Sequence, residues 1–203
     1  KPGEAPFQPT VAKYTDNYIL FISSSKIFSY AGQRCGLMAI SDQLFERNYP
    51  DLQERFRGTS FGATITLRLL YSISSGTSHS AQYALTAMLK AANEGKFNFV
   101  EGVKEYGEKA KIMKTLFLKN GFEIVYKKDM EVPIADGFYF TLSYPGMTGN
   151  QLVENLLYYG ISAIALDNTG SDEEGIRACV SFVKRDQFDE LDQRLQLFHQ
   201  NFS

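Results

Sequence analysis

A chain of 203 residues, 44% hydrophobic and 22% charged with a formal net charge of -2, holds enough apolar material for one large core or two smaller ones and is not disordered in bulk. Its charges are interspersed, and the one basic cluster, KEYGEKAKIMK, is broken by Glu105 and Glu108, which argues against a nucleic-acid surface. No apolar run nears the roughly 20 residues of a membrane span and no signal peptide opens the chain, so a cytoplasmic protein without membrane partners is expected.

After a proline-containing entry, residues 17–22 (NYILFI) are near-continuously apolar, the pattern of a strand covered on both faces in a parallel or mixed sheet. GLMAI at 36–40 reads as a second such strand. Ser41 is placed to cap a short helix, DQLFERN, which Tyr49-Pro50 interrupts before DLQERFR resumes. TITLRLLYS suits helix or strand by pattern and is assigned as helix over 63–73. SSGTSHS reads as a hinge-like linker. AQYALTAMLKAA follows as a helix of high propensity, then a long helix from Asn98 with Val100, Val103, Tyr106, Ile112, Met113, Leu116 and Phe117 near helical spacing, ended by a left-handed cap at Asn120-Gly121. FEIVY, a loop around 129–136, the strand GFYFTLS, a helix capped at Thr148, the strands ISAIAL and IRACVSF, and a last helix QFDELDQRLQLFHQNF complete the chain.

Helices on one side of a small, mostly antiparallel sheet make an α+β domain. The expected organisation is therefore α/β overall: residues 1–76 as part of a larger sheet, and 77–203 as a complete, smaller α+β domain. Cys35 and Cys179 lack metal spacing and read as reduced thiols, although a disulfide between them stays open. His79 and His199 are too scattered for a metal site, so none is expected.

The chemistry concentrates at ISSSKIFSYAGQRCG. A lysine at the rim of an apolar strand either carries its head to water or has a chemical task. On an extended strand Ser23 and Ser25 would present their hydroxyls on one face, and Gly32 and Gly36 flank Arg34, allowing a tight backbone. Two hydroxyls, a guanidinium and an ammonium converging on one spot are a phosphate site with a nucleophilic amine beside it.

This segment resembles the cofactor-lysine region of class I/II aminotransferases, fold type I pyridoxal phosphate enzymes, whose pattern is Ser-x-Ser-Lys followed by Gly-x-Arg-x-Gly with the arginine eight residues after the lysine. Ser23, Ser25, Lys26, Gly32, Arg34 and Gly36 match it. The resemblance implies that Lys26 carries pyridoxal 5'-phosphate as a Schiff base and moves the α-proton of the substrate, with Ser23, Ser25 and Arg34 on the phosphate. Implied partners are an amino acid, a 2-oxo acid and a second copy of the enzyme in a homodimer.

In EGIRACVSF, Ile176, Ala178, Val180 and Phe182 alternate towards the core and leave Arg177 on the opposite face, where an ordinary solvated arginine is one reading. The same family ends with a strand of the form Gly-x-Arg-x-x-x-Ser whose arginine clamps the substrate α-carboxylate, and Gly175, Arg177 and Ser181 fit it. By the same resemblance Tyr139, in the GFYF strand, is a candidate for the substrate pocket, with a core aromatic as the plainer reading.

The resemblance spans nearly the whole chain but half of such an enzyme. The glycine-rich phosphate loop, the ring-stacking aromatic, an asparagine and the Asp-x-x-Tyr pair of the other half do not occur. Together with the start at KPGEAPFQP without methionine, this leads to the expectation of a C-terminal fragment that is inactive alone. RNYPDLQERFRGTSFGA is longer than the family's usual segment, so partner-subunit contacts do not carry over. Other readings stay open: a C-S lyase or decarboxylase of the same fold type, or a non-catalytic fragment serving in dimerisation. Ser23-x-x-Lys26 also has penicillin-binding-protein spacing, but that family needs the motif at the start of a helix, with Ser-Asp-Asn and Lys-Thr-Gly elsewhere; here the motif is expected to end a strand, both partner motifs are missing and no export signal occurs.

Overall fold

The computed structural model describes residues 10–134 and 137–203, in two compact units that divide between Phe99 and Val100. The first unit begins with a 3-10 turn, Val11–Lys13, then β1 (Ile19–Ser23), a single helical turn α1 (Ser24–Ile27) and β2 (Gly36–Ile40). The two strands pair antiparallel along their length, with Ile19 opposite Ile40 and Ser23 opposite Gly36. The sequence suggested a strand covered on both faces of a parallel or mixed sheet. Instead the described sheet has two strands, and Phe21 is 80% exposed: a two-stranded ribbon has little to lay against its second face, whatever its composition.

Ser41 caps α2 (Asp42–Phe45) as expected, its hydroxyl accepting from the Leu44 amide at 3.1 Å. α3 (Leu52–Phe56) ends at Arg57, itself left-handed with φ 55°. α4 (Phe61–Ala63), a π-helical stretch Thr64–Leu70 and α5 (Tyr71–Ser74) form one continuous helical run, so the helix assignment for TITLRLLYS holds, wound wider than α over its middle. Leu67, Tyr71 and Ile73 on it are exposed. Within SSGTSHS, residues 75–78 are exposed and non-helical, with Ser75 and Gly76 at positive φ, while its ends belong to α5 and to the next helix. Composition marked the domain boundary there. However, α6 (His79–Asn93) lies within the first unit, where Ala81 and Leu85 bury against Cys35 with Phe28, Tyr30 and Leu37 around them. A linker's composition shows where the chain can turn, not which apolar face the next helix will cover.

All but the first residue of α7 (Phe99–Lys119) belongs to the second unit, and Gly121 after it is in the left-handed conformation, φ 82°. The Phe122 amide returns to the Phe117 carbonyl at 3.2 Å, closing the helix end. β3 (Glu123–Ile124), a small hairpin of β4 (Lys128–Asp129) and β5 (Val132–Pro133), β6 (Tyr139–Ser143), α8 (Gly149–Tyr158), β7 (Ile164–Ala165), β8 (Ile176–Cys179) and α9 (Phe188–Phe202) follow. Part of the loop expected over 129–136, namely 135–136, lies outside the described residues. The main sheet runs β3-β6-β8-β7 and every pairing is antiparallel, which agrees with the sequence reading. Thr148 makes a full capping box with Gln151 at the start of α8.

Strand alternation sends Phe140, Leu142, Ile176 and Ala178 into one core with Met113 and Phe117 of α7, Leu152 and Leu156 of α8, and Leu195 and Phe198 of α9. The expected core alternation continues to Val180, which is fully buried, but fails at Phe182, which is 92% exposed. β8 has ended at Cys179, and once pairing stops nothing keeps the period of two.

Candidate functional site

The first cluster is the turn joining β1 to β2. Ser23 closes the strand and is exposed, Ser25 is half-buried on α1, and Lys26 is exposed on the same helical turn. The chain turns helical at Ser24, so Ser23 and Ser25 are not on one strand face, and the extended-strand argument for pairing their hydroxyls is corrected. The serine that sequence reasoning passed over, Ser24, is fully buried, and its hydroxyl donates to the Cys35 carbonyl. That bond, with the Ser23–Gly36 pairing, ties the lysine turn to the segment carrying Arg34.

Arg34 adopts φ 51°, ψ 43°, and its Nη1 donates to the Ala31 carbonyl at 3.0 Å. The left-handed bend thus falls on the arginine itself, at a cost a non-glycine residue normally avoids. Gly32 stands in open space, and only Gly36 is tight: a Cβ there would come within 3.2 Å of the Ile22 carbonyl. As a donor set, exposed hydroxyl, ammonium and guanidinium groups on a short turn suit the phosphate of a pyridoxal cofactor. Neither Lys26 nor Arg34 sits beside an acidic residue in sequence.

The second cluster lies on the sheet face away from the core of the second unit. Arg177 is half-buried in β8, opposite Thr141 of β6 on one side and Ile164 of β7 on the other. Its guanidinium carbon stands 4.2 Å from the centre of the Tyr139 ring, a cation-π contact. Among the described residues no carboxylate pairs with Arg177. Tyr139 is half-buried rather than a core aromatic, and with Thr141, Tyr126, Lys114 and Lys127 it lines a cavity of about 530 Å³. Around it the Tyr126 amide donates to Thr141 Oγ1 at 3.0 Å, and the Tyr126 and Ser171 hydroxyls meet at 2.6 Å.

Gly175 is required for this strand to start: its φ is 143°, and a Cβ would strike the Leu142 carbonyl. The glycine two residues before Arg177 is therefore a packing necessity as well as part of a motif. Ser181 Oγ lies 3.1 Å from Cys179 Sγ, and both cysteines are free thiols.

No protein-family model and no curated protein matches the sequence. Solved structures do. An Escherichia coli protein with a methionine aminotransferase function superposes with a TM-score of 0.64 at 16% identity, over 92% of this chain and 44% of its own. The α-aminoadipate aminotransferase of Thermus thermophilus, crystallised with N-(5'-phosphopyridoxyl)-L-leucine, gives 0.61 at 17% identity, over 90% of this chain and 42% of its own. The L-threonine-O-3-phosphate decarboxylase of Porphyromonas gingivalis gives 0.54 at 16% identity, over 93% and 48%. The chain has the fold of the C-terminal part of a class I/II aminotransferase. It spans less than half the length of each of these enzymes.

Within that aminotransferase fold, the lysine turn and the arginine strand were both visible in the sequence as residue patterns. What the patterns missed is support. Ser24 could have been found as the one serine whose neighbours on both sides were assigned roles. Tyr139 was a candidate from the resemblance, but nothing in the sequence signalled that its ring lies beneath Arg177.

Proposed function

We propose that this chain is the C-terminal part of a pyridoxal phosphate-dependent aminotransferase that moves an amino group between an amino acid and a 2-oxo acid. The observation that carries the reading is the coincidence of an aminotransferase fold with Ser-x-Ser-Lys and Gly-x-Arg-x-Gly placed on one tied turn. Bound there, the cofactor supplies an electron sink for the bond broken at the substrate α-carbon.

The chain's own residues have separable tasks in this reading. Lys26 Nζ would hold the cofactor and, once freed by the substrate amine, would serve as the base that takes the proton from the substrate α-carbon. Ser23 and Ser25 hydroxyls and the Arg34 guanidinium hold the phosphate and so fix where Lys26 meets the carbonyl carbon. Arg177 receives the substrate carboxylate in a bidentate pair, for which a guanidinium without a carboxylate partner among the described residues is suited. Tyr139, beneath it, limits the directions in which that fork can turn.

The test is reductive trapping in the full-length enzyme. After loading with pyridoxal phosphate and treatment with borohydride, the pyridoxyl mass should appear on the peptide containing Lys26 and vanish in Lys26→Ala. Label on another lysine in the wild type would overturn the assignment. Decarboxylation is the second reading, because one enzyme of the same fold catalyses it. Carbon dioxide release without 2-oxo acid formation would favour that chemistry over transamination.

A further inference from the structure

A second cavity, of about 200 Å³, opens on the core side of the β7–β8 edge, on the opposite sheet face from Arg177. Its apolar wall is Met113, Phe117, Ile176, Ala178 and Leu191, and the 160–163 segment forms its lip. The cavity exists because two strands part. β7 pairs with β8 only at Ile164–Arg177 and Ala165–Ile176, while β8 runs on to Cys179.

Alternation fixes what the parting exposes. The Gly175 carbonyl bonds towards β7, accepting from the Leu166 amide, and the Val180 amide bonds towards β6, donating to the Phe138 carbonyl. The main-chain groups of Cys179 therefore face the β7 side. An extended β7 would set Ser162 opposite them, but Ser162 lies outside the strand, and among the described residues the Cys179 N–H and C=O have no hydrogen-bond partner. Cys179 is exposed and is one of the residues lining the cavity. The charges at its rim are already matched: Arg194 Nη1 donates to the Gly160 carbonyl at 2.7 Å, and Nη2 pairs with Glu190.

We infer that this cavity binds a small uncharged molecule containing one acylated amino-acid unit with a branched aliphatic side chain. A donor and an acceptor on one residue of an antiparallel edge are matched by an N–H and a C=O flanking one α-carbon. The apolar wall takes the side chain, and a cavity of about 150 Å³ is known to hold six carbons, so 200 Å³ holds a leucine-sized group with part of its backbone. The internal Glu190–Arg194 pair leaves no net charge for a carboxylate or ammonium to meet. The floor of the site, Ile176 and Ala178, is the reverse face of the strand bearing Arg177.

The probe is N-acetyl-leucine-N-methylamide, followed by the amide signals of protein labelled at cysteine and assigned with Cys35→Ser and Cys179→Ser. Cys179 should shift saturably with a Kd of about 1 mM, the value expected for a ligand of about thirteen heavy atoms, while Cys35, in the first unit, stays still. Ala163→Phe, which fills the lip, should weaken binding at least about tenfold with an unchanged melting temperature. If that variant melts early, N-acetyl-leucine serves instead, and its carboxylate should bind at least about tenfold more weakly. An unmoved or non-saturating Cys179 signal overturns the inference, as does equal affinity for the carboxylate. A capped tripeptide binding more than about tenfold tighter would overturn the small-ligand reading in favour of an added peptide strand.

Discussion

The lysine turn and the arginine strand hold their candidate residues by opposite means. Arg177 stands in the middle of a strand flanked on both sides, and its position follows from a register that Leu142 and Ile176, both fully buried, fix from the core face. Lys26 stands on one helical turn at the end of a two-stranded ribbon, held by the Ser24–Cys35 bond, the Ser23–Gly36 pair and a left-handed arginine. A one-residue slip in a strand with a buried face would turn the whole hydrophobic set outward, so the arginine is protected by core energy. The lysine turn packs Phe28, Tyr30 and Cys35 against α6, but Lys26 itself is exposed. Changes at Lys26 should therefore affect chemistry and spare stability, and changes behind Arg177 should affect both.

The largest effect expected is at the turn. Lys26→Ala in the full-length enzyme should lower kcat by at least about a hundred- to ten-thousandfold, the usual worth of a positioned proton-transfer group, while the urea midpoint stays near wild type. A variant that keeps its activity would remove Lys26 from the site. One that loses activity through unfolding would instead show that the lysine side chain itself helps to hold the turn.

Next in size is the core behind the arginine. Leu142→Ala should cost about 2 to 5 kcal/mol, because a fully buried leucine leaves a cavity. Phe21→Ala, on the exposed face of β1, should change stability by less than about 0.5 kcal/mol. Urea unfolding of the two variants side by side measures the contrast, and similar losses for both would erase the distinction between the strands.

That contrast also explains what the sequence allowed one to see. The second unit was legible nearly element by element, since its helices and strands bury one face against a single core and so carry clean periods. The Thr148 capping box and the Gly121 helix end are local rules with local signatures. The first unit was harder. NYILFI has the composition of a doubly covered strand, but composition records what a segment can bury, and in the structure Phe21 buries little. Lys109 escaped notice too: its polar head sits on a core-facing position of α7, 7% exposed, and donates to the Ser181 carbonyl at 3.2 Å. No spacing announces a carbonyl 72 residues away. The site motifs were readable as residue types, whereas the helical turn that starts at Ser24 was not.

A smaller effect should separate the two guanidinium groups. Arg177→Lys in the full-length enzyme should raise KM for every amino acid tried by about ten- to a hundredfold, the loss of a charge-assisted bidentate contact worth roughly 1.5 to 3 kcal/mol, with cofactor affinity unchanged. Arg34→Lys should do the reverse, weakening cofactor binding first. Tyr139→Leu belongs with Arg177: it removes the ring under the guanidinium and should raise KM severalfold, by about 0.5 to 1 kcal/mol, without touching the cofactor. Steady-state kinetics with a cofactor titration on all three variants checks the division of labour. A kinetically silent Arg177→Lys would return that residue to an ordinary place on the sheet face.

The smallest effect tests how far the second unit's stability depends on its surface rather than its core. Asp192 on α9 accepts from Lys119 at 2.7 Å, from the buried Asn120 amide at 3.1 Å and from Gln196 at 3.0 Å, joining the last helix to the end of α7. The Lys119 bond, with help from Asn120 and Gln196, holds its carboxyl below the usual range against the opposing pull of burial. A depressed carboxyl stabilises the fold while it is ionised; that stabilisation is complete above the unfolded pKa and is lost as pH falls through the lower, folded one. The group is partly open to solvent, so its worth is no more than about 1 kcal/mol. Asp192→Asn should therefore unfold at lower urea than wild type near about pH 7, and the gap should close below about pH 3 as the wild-type carboxylate takes up its proton. A gap that persists undiminished in acid would mean that shape and the Asn120 contact, rather than charge, secure the junction of the two helices.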